Sequence, residues 1–521
     1  MKTIHFNLLI VVFIIIGKQY KAQAPPIQWQ KCYGGTGGEY AYSIKQTNDS
    51  GYIVIGQANS INGVVTGMKG MGDIWLTKLD KSGSLQWQKC YGGTQEDIGV
   101  CVLQTQDGGY LLEGYSKSNN GDILGNKGGW DGILIKTDNV GNIVWQKCFG
   151  GTLDEYFSSI VSTTDGGYLL FGYTFSNNGD VSGNKGSSDL WVIKINLFGS
   201  IIWQRCYGGT SNDGVGLSVN SIMKYEKDFV LVGNSSSSDG DLNNNKGITD
   251  LWVVRIDSVG NLKWQSNFGG TNSDFGRGVV LDKDSNIVIL GETRSNDVDV
   301  TFTYGLREGW LLKLSNSGGL LSQKNFGGSG DDIPYDLIRT NDKGFGFIGA
   351  SGSIGNDATG NHGLYDVWFV KLDSNLNKQW HHCYGGSGTE QAYSLIETKD
   401  GGYAFCGYAT TNNGDVSGCN SGPGDFWVVK LGSMSGLEEK EIIRDVLIYP
   451  NPSNGALTVK INVASFYGEV EIYDSLGQLV SVNKIEDAET RINVHSLSKG
   501  IYFYVLKSHL GGIVNGKLIL D

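Results

Sequence analysis

The sequence predicts an all-β protein: a seven-bladed β-propeller of four-stranded blades, closed by its N-terminal strand and followed by a small β-sandwich. The first observation is an internal repeat, in which a Gly-Gly pair starting at Gly34 returns at spacings of 58, 58, 58, 61, 58 and 58 residues. The second is composition, because 79 Gly, 13 Trp, 25 Tyr and 19 Phe beside only 6 Pro indicate short strands and tight turns. The third is the end of the repeat after Leu431.

Each repeat unit contains four strand signals. In the unit that starts at Gly150, these are residues 156–163, 168–173, 190–195 and 201–207, separated by turns rich in Gly and Asp. Four strands in a unit of about 60 residues are typical of a propeller blade. Segments such as LWVIKI are apolar on both faces, which suits a sheet packed between two others. The fourth unit is three residues longer than the others, and we expect these extra residues to lie in a turn near residues 224–227.

The order of the elements predicts how the ring closes. The strand after each Gly-Gly pair is assigned to the axis, and the WQKCYGG strand to the outside. The chain opens at Gln28 with an outer strand, and its last repeat ends at Leu431 after only three strands. Residues 27–34 are therefore expected to complete the blade formed by residues 391–431, which removes the free sheet edges.

The repeat has a recognisable consensus. The pattern GGT-x-x-D…DGGY-x-x-x-G…D-x-W-x-x-K-x-D-x-x-G-x-x-x-W runs through residues 27–432 and resembles the repeat of the SBBP-type bacterial β-propellers. The resemblance implies the propeller fold. It implies no particular activity, since propellers carry many functions.

Three charged columns recur in all seven units. The third strands carry a base: Lys78, Lys136, Lys194, Arg255, Lys313, Lys371 and Lys430. The loop after each Gly-Gly pair carries an acid: Glu39, Asp97, Glu155, Asp213, Asp274, Asp332 and Glu390. A further acid opens each third strand: Asp73, Asp131, Asp189, Asp250, Glu308, Asp366 and Asp425.

A charge in an apolar strand requires a partner. Asp189 and Lys194 are five positions apart and point to opposite faces of one strand. We therefore expect the loop acids to pair with the bases, as a structural ring of seven ion pairs. The alternative is a ring of carboxylates that binds a cation at the mouth of the channel.

The long loop between the second and third strands also recurs, as in NNGDILGNKG from Asn119. Its oxygen-bearing residues make calcium an alternative, although such loops normally supply several carboxylates and these supply one. We expect no metal and no cofactor. The aspartates of the calcium alternative are Asp122, Asp180, Asp241 and Asp415.

Cysteine and histidine spacing indicates neither zinc binding nor catalysis. Cys406 and Cys419 lie within one unit and are the only pair expected to form a disulfide. His381 and His382 are predicted to be surface residues on an outer strand, and no HExxH, CxxC or GxSxG pattern occurs. Five further cysteines occupy one outer-strand position, in blades too far apart for bridges: Cys32, Cys90, Cys148, Cys206 and Cys383.

The N-terminus predicts export. Lys2 precedes an apolar run at residues 8–16 that is too short to span a bilayer, and Ala22 and Ala24 follow it. We assign residues 1–24 to a signal peptide, favour cleavage after Ala22 and expect no transmembrane segment. The formal net charge of −12, without a basic cluster, excludes nucleic acid and an anionic membrane surface as partners.

Residues 433–445 are predicted to be a polar linker, and residues 446–521 a small β-sandwich of short strands. The segments YPNPSNG, VEIYDSLGQLV and LSKGIYFYVL and the final GKLIL resemble the type A C-terminal sorting domain of the type IX secretion system. The resemblance implies recognition by the type IX machinery, passage across the outer membrane and attachment to surface lipopolysaccharide. The expected location is the outer cell surface of a Gram-negative bacterium, or the medium.

The function predicted for the propeller is binding or adhesion without catalysis, with a carbohydrate or protein ligand. Tyr304 and Tyr365, in the long loops, are candidates for contact with a sugar. A hydrolase or lyase is the first alternative, and it predicts a His or carboxylate pair on the axial face of one or two blades. A purely structural surface protein is the second.

Overall fold

The computed structural model describes residues 24–216, 220–420, 423–433, 446–461, 468–485, 487, 489–508 and 513–521. The chain divides into two compact units, Met1–Gly432 and Ser433–Asp521. The predicted signal peptide apart from Ala24, the linker from residue 434 onwards, and both His5 and His509 lie outside the described residues. Every regular element within the described ranges is a β-strand, which confirms the all-β prediction. No helix in these ranges is long and apolar enough to cross a membrane.

The described part of unit 1 contains seven antiparallel sheets, numbered here along the chain. Sheets 1 to 3 each have four strands in chain order: β2 (Glu39–Gln46), β3 (Tyr52–Ala58), β4 (Asp73–Leu79) and β5 (Leu85–Tyr91); β6 (Asp97–Gln104), β7 (Tyr110–Ser116), β8 (Asp131–Thr137) and β9 (Ile143–Phe149); β10 (Glu155–Ser162), β11 (Tyr168–Thr174), β12 (Asp189–Ile195) and β13 (Ile201–Tyr207).

Sheets 4 to 7 follow the same plan. Their strands are β14 (Asp213–Gly214), β15 (Ile222–Tyr225), β16 (Asp228–Ser235), β17 (Asp250–Ile256) and β18 (Leu262–Phe268); β19 (Asp274–Leu281), β20 (Ile287–Thr293), β21 (Glu308–Leu314) and β22 (Leu320–Phe326); β23 (Asp332–Arg339), β24 (Phe345–Ser351), β25 (Asp366–Leu372) and β26 (Lys378–Tyr384); β27 (Glu390–Glu397), β28 (Tyr403–Ala409), β29 (Asp425–Leu431) and β1 (Ile27–Tyr33).

The third strand of each sheet is buried on both faces, as its apolar sequence predicts. In sheet 3, Trp191 of this strand is fully buried, and its Nε1–H donates to Oε1 of Gln204 in the fourth strand at 2.9 Å. A buried indole N–H requires such an acceptor. The glutamine of the WQKCYGG segment therefore satisfies the tryptophan of the neighbouring strand.

The N-terminal strand completes sheet 7. Strand β1 pairs antiparallel with β29, with Trp29 opposite Lys430. Trp427 of β29 donates its Nε1–H to Oε1 of Gln30 at 2.7 Å, so the tryptophan–glutamine bond of sheets 1, 3, 4 and 5 is formed here between the two ends of the repeat region. The predicted pairing of residues 27–34 with the last repeat is confirmed.

Successive sheets are joined by their outer strands. The hydroxyl of Tyr91 in sheet 1 donates to the carbonyl of Gly141 in sheet 2 at 2.6 Å, and Tyr207 makes the same bond to Gly260. Tyr384 of sheet 6 donates to Pro25, two residues before β1. Each sheet packs on the next, and β27 and β28 of sheet 7 pack on β2 of sheet 1. These contacts fit a propeller.

Sheet 4 departs from the repeat in its first strand. That strand is divided into β14 and β15, which both pair with β16. Lys224 lies inside β15, and the turn to β16 contains only Glu226 and Lys227. The expected position of the three extra residues in this turn is therefore wrong, because the irregularity lies between β14 and β15.

The disulfide joins Cys32 of β1 to Cys419 of the loop before β29, with a Cα–Cα distance of 4.9 Å. The expected pairing of Cys406 with Cys419 is wrong: Cys406 is a free, fully buried thiol in β28. Cys32 reaches the last repeat unit because β1 is the outer strand of sheet 7. The other four outer-strand cysteines are free thiols, as expected.

Unit 2 contains a three-stranded and a four-stranded sheet in the orders β30-β31-β34 and β33-β32-β35-β36. Both sheets contribute to one core, with Leu457 and Val459 from the first and Val470, Ile472 and Leu506 from the second. The strands are β30 (Val446–Tyr449), β31 (Ala456–Ile461), β32 (Gly468–Tyr473), β33 (Leu479–Ile485), β34 (Glu489–Asn493), β35 (Gly500–Ser508) and β36 (Ile513–Leu520).

We expect the disulfide to contribute measurably to the stability of unit 1. It closes a loop with a sequence separation of 387 residues, so its removal frees the unfolded chain from a strong constraint. We expect the double variant Cys32→Ser, Cys419→Ser to lose roughly 2–5 kcal/mol of unfolding free energy in denaturant titrations. The matched control Cys206→Ser changes a free thiol at the same repeat position and should leave the midpoint nearly unchanged. Peptide mapping without reductant that linked Cys406 to Cys419 would contradict the assignment.

Candidate functional site

The seven strand-three bases pair with aspartates at the turn between the first and second strands; in sheet 4 this aspartate, Asp228, is the first residue of β16. Lys194 lies 3.0 Å from Asp165, and its Nζ also donates to the carbonyl of Ile195. The same ion pair recurs in every sheet: Lys78–Asp49, Lys136–Asp107, Arg255–Asp228, Lys313–Asp282, Lys371–Asp342 and Lys430–Asp400.

The predicted pairing of these bases with the loop acids is wrong. In sheet 3, Glu155 begins β10 and lies at the same end of the sheet as Asp189, whereas Lys194 lies five residues further along β12. At about 3.3 Å per residue, that is about 16 Å away. The bases therefore meet the turn aspartates at the opposite end of each sheet.

The loop acids instead hold the Gly-Gly loops. Asp97 accepts hydrogen bonds from the hydroxyls of Ser116 and Ser118 and from the backbone N–H of Gly93. Glu155 accepts from Thr174 and from the N–H of Gly151. Neutral donors satisfy these buried carboxylates, so their role in the structure is to fix the loops between sheets.

The acids that open the third strands lie against the loop acids. A Cβ on Gly92 would stand 2.6 Å from Oδ2 of Asp97 and 2.7 Å from Oδ1 of Asp73, so only glycine fits between the two carboxylates. Burial raises the pKa of Asp73 to about 6 and that of Asp189 to about 7, and the like charge of the neighbouring loop acid adds to each shift. These groups are therefore protonated well above the usual range of an aspartate.

The aspartates of the calcium alternative lie between sheets. Asp122 pairs with Lys69 at 2.7 Å and Asp180 with Lys127 at 2.8 Å, and Asp241 pairs with Lys185. In each case the lysine belongs to the long loop of the preceding sheet. Asp415 accepts from the backbone N–H of Gly385. No group of three or more His, Cys, Asp or Glu residues that could hold a metal is present within the described ranges.

A cavity of about 530 Å³ lies among the first strands, towards the end that carries the turn aspartates. Six of the seven sheets contribute to its wall. Its charged lining contains three bases and one acid: Lys45, Lys224, Arg339 and Glu397.

Towards the end that carries the Gly-Gly loops, tyrosine side chains from five sheets converge. We call this set the tyrosine girdle. Ring centroids of Tyr40 and Tyr408 are 5.1 Å apart, those of Tyr335 and Tyr393 4.7 Å, and those of Tyr115 and Tyr156 5.0 Å. All its members are half-buried: Tyr40, Tyr42, Tyr115, Tyr156, Tyr173, Tyr335, Tyr393 and Tyr408.

Sheet 5 contributes charged side chains in place of tyrosine. Glu292 is fully buried, and its carboxylate lies 2.6 Å from Nη2 of Arg277, 3.3 Å from Nη2 of Arg294 and 3.8 Å from Nε of Arg307. Burial alone would raise the pKa of Glu292, but the three guanidinium groups lower it, so the group is ionised. Arg307 also lies 3.6 Å from Asp331. We call Arg277, Arg294 and Arg307 the arginine cluster.

The two sets meet at Tyr335, since the guanidinium of Arg277 lies over its ring at 5.5 Å. The site therefore joins half-buried aromatic faces to fixed cationic donors. Of the two loop tyrosines, Tyr365 contacts this region through Asp331, 3.3 Å from its hydroxyl, whereas Tyr304 is exposed and packs on Phe302.

Sequence reasoning did not find either set. Tyr115, Tyr173 and Tyr408 occupy one repeat position, directly after the glycine of the second strand, and this column was a usable signal. Each arginine of the cluster lies at a repeat position where the other sheets have no arginine, so no column of the repeat reveals it. His381 is partly buried and bonds to Thr359, His382 is exposed, and both lie on outer strand β26 as expected.

Residues 447–521 match the family model of the secretion system C-terminal sorting domain. This domain directs type IX secretion, so the chain is a secreted or cell-surface protein. A search of curated proteins finds no match.

The fold is similar, at low sequence identity, to several solved structures, including the following three. PorZ, an essential bacterial surface component of the type IX secretion system of Porphyromonas gingivalis, has 9% identity and a TM-score of 0.38, over 95% of this chain and 61% of PorZ. A fungal alcohol oxidase of the AA5 family has 11% identity and a TM-score of 0.43, over 96% of this chain and 100% of the oxidase. A PL25 ulvan lyase has 11% identity and a TM-score of 0.43, over 78% of this chain and 96% of the lyase. The chain thus spans less than two thirds of PorZ.

The raised pKa values of the acids that open the third strands determine how the stability of unit 1 should depend on pH. Burial raises the pKa of Asp131 from 3.8 to about 7, so the folded state binds this proton more tightly than the unfolded chain. The resulting stabilisation is full below about pH 4 and is lost as the pH rises through 7. We expect Asp131→Asn, which is neutral throughout, to match the wild type at pH 4 and to exceed its unfolding free energy by roughly 1–3 kcal/mol at pH 8.

Asp107→Asn is the matched control, measured by the same denaturant titrations. The hydrogen bond from Lys136 lowers the pKa of Asp107 to about 2, so its stabilisation is present above about pH 4 and lost as the pH falls through 2. This variant should therefore be less stable than the wild type at pH 8 and equal to it near pH 2. Loss of stability in Asp131→Asn at pH 8 would contradict the assignment of the raised pKa.

Proposed function

We propose that residues 27–432 of unit 1 form a closed seven-bladed β-propeller that acts as a non-enzymatic binding module on the outer surface of a Gram-negative bacterium. The seven sheets would be its blades. The pairing of β1 with β29, the bond from Tyr384 to Pro25 and the packing of β27 on β2 support closure between the last sheet and the first.

Delivery is assigned to the two ends of the chain. Residues 1–24 would be a signal peptide, residues 433–445 a linker, and residues 446–521 a type A sorting domain that the type IX machinery recognises. Attachment to surface lipopolysaccharide would follow sorting. The match at residues 447–521 supports the sorting step.

Binding is assigned to the tyrosine girdle, which carries the functional proposal. Half-buried rings of sheets 6, 7 and 1 contact one another, and so do those of sheets 2 and 3. Such rings offer large apolar contact area together with hydroxyl groups that make hydrogen bonds, a combination suited to recognising carbohydrate or protein ligands.

Acids unique to one sheet favour binding over catalysis. Glu113 is fully buried and faces Cys101 within sheet 2. Asp336 is fully buried and accepts from the N–H of Leu395 and from Asn220. Glu292 is held by three arginines. A general acid or base must reach its substrate, and these three carboxylates are enclosed.

Removal of the sorting domain tests delivery. We expect a chain that ends before residue 446 to be absent from the cell surface and retained in the cell envelope, because it lacks the segment that the secretion machinery recognises. Protease treatment of intact cells, followed by fractionation, measures this. The full chain with Tyr304→Ala, a substitution in unit 1, should be exported normally. Surface display of the truncated chain would contradict the proposal.

Substitution in the girdle tests binding. We expect the full chain to bind members of a glycan or surface-protein array, and Tyr40→Ala with Tyr408→Ala to weaken that binding at least tenfold because two rings of the girdle, an edge-to-face pair, are lost. Thermal unfolding of each variant checks the fold. Tyr304→Ala, at an exposed tyrosine outside the girdle, is the matched control.

Two results would overturn the binding proposal. The first is equal binding by the girdle variant and the wild type. The second is the release of shortened glycan products during incubation, which would favour the hydrolase or lyase alternative.

A further inference from the structure

We infer that the arginine cluster and the tyrosine girdle together bind an acidic polysaccharide, with its carboxylate or sulfate groups on the arginines and its sugar rings on the tyrosines. This inference rests on the proposed binding function and names the class of ligand. The acidic group supplies the charge, and the sugar backbone supplies the apolar C–H faces.

The arginine cluster is an exception within the repeat. At the position of Arg294, directly after the second strand, the other sheets carry Asn59, Lys117, Phe175, Ser236, Gly352 and Thr410. At the position of Arg307, directly before the third strand, they carry Gly72, Trp130, Ser188, Thr249, Tyr365 and Gly424. Six sheets therefore form the same four-stranded fold without an arginine at either position, so the fold of the sheet does not require Arg294 or Arg307.

The charge balance also exceeds what the buried acid needs. One guanidinium group at 2.6 Å, that of Arg277, would neutralise Glu292. Arg294 and Arg307 add two more positive charges, and Asp331 offsets one of them. A net positive site thus remains in a chain with a formal net charge of −12, and a cationic site in an acidic surface selects for an anionic group.

The cluster is accessible and held in place. The side chains of Arg294 and Arg307 are 37% and 32% exposed, against 14% for Arg277. The guanidinium of Arg294 lies 5.3 Å from the centre of the ring of Phe275, and Arg307 lies between Glu292 and Asp331. Guanidinium groups fixed in this way lose little side-chain entropy when they bind an oxyanion.

A continuous path of rings leads away from the arginines. It runs from Tyr335 under Arg277 to Tyr393 at 4.7 Å, to Tyr408 at 6.2 Å and to Tyr40 at 5.1 Å. Sheets 6, 7 and 1 therefore extend the site from the charged side chains of sheet 5. An extended ligand with repeated rings matches this path better than a single small anion.

The test compares polymers that differ only in charge. The full chain is titrated with polygalacturonate and with its fully methyl-esterified form, and separately with dextran sulfate and with dextran. We expect at least tenfold tighter binding to one acidic polymer than to its neutral partner. The first pair reports carboxylate recognition and the second sulfate recognition.

Arg294→Gln with Arg307→Gln should weaken binding of the acidic polymer at least tenfold, while Arg277 still pairs with Glu292 and preserves the fold. The control Lys81→Gln with Lys283→Gln removes the same charge from two exposed turns and should bind as the wild type does. Thermal unfolding confirms that both proteins are folded.

Several results would overturn the inference: binding of neither acidic polymer, no preference over the neutral partner, or equal loss in the lysine control. Failure of the inference alone is distinguishable from failure of the proposed function. If neutral glycans bind and the girdle variant loses them, the binding function stands and the acidic ligand does not.

Discussion

The antiparallel pairing of β1 with β29 is the contact on which the rest of unit 1 depends. Each third strand is buried on both faces, so each sheet requires a neighbour on either side. A row of sheets cannot provide this at its two ends, whereas a ring can. The chain supplies the outer strand of sheet 7 from its N-terminus, where the Trp427–Gln30 bond and the Cys32–Cys419 disulfide secure the joint, and β27 and β28 of this sheet pack on β2 of sheet 1.

The sequence predicted this joint because the repeat period exposed a missing strand, and the same reasoning applied to the cysteines would have paired Cys32 with the last repeat. The charged columns were harder to interpret. Side chains alternate between the two faces of a strand, so Asp189 and Lys194 lie on opposite faces. The partner of Lys194, however, depends on the end of the sheet at which Lys194 lies. The antiparallel order brings it to Asp165 and leaves Glu155 at the far end.

The tyrosine girdle shows where sequence reasoning reaches its limit. Contacts such as Tyr335–Tyr393 and Tyr42–Tyr393 join residues of different sheets, and they depend on how closely the first strands of neighbouring sheets approach one another. A bulge in the first strand turns the extra residue towards its neighbours, as at Tyr335 between Pro334 and Asp336. The repeat period does not reveal such a bulge, because every unit with the same spacing looks alike in the sequence.

A repeated scaffold separates structural positions from functional ones. Glu155 and Lys194 recur in every sheet as an acid or a base, and each is satisfied by a partner that recurs with it. Glu292 has no counterpart, since the other sheets carry Gln57, Tyr115, Tyr173, Asn234, Ala350 and Tyr408 at its position. Burying an ion is unfavourable unless it is compensated, and the chain compensates it with three arginines where one is enough. This surplus of charge at a single position of the repeat supports the proposed binding of an acidic ligand, because the guanidinium groups of Arg294 and Arg307 are partly exposed.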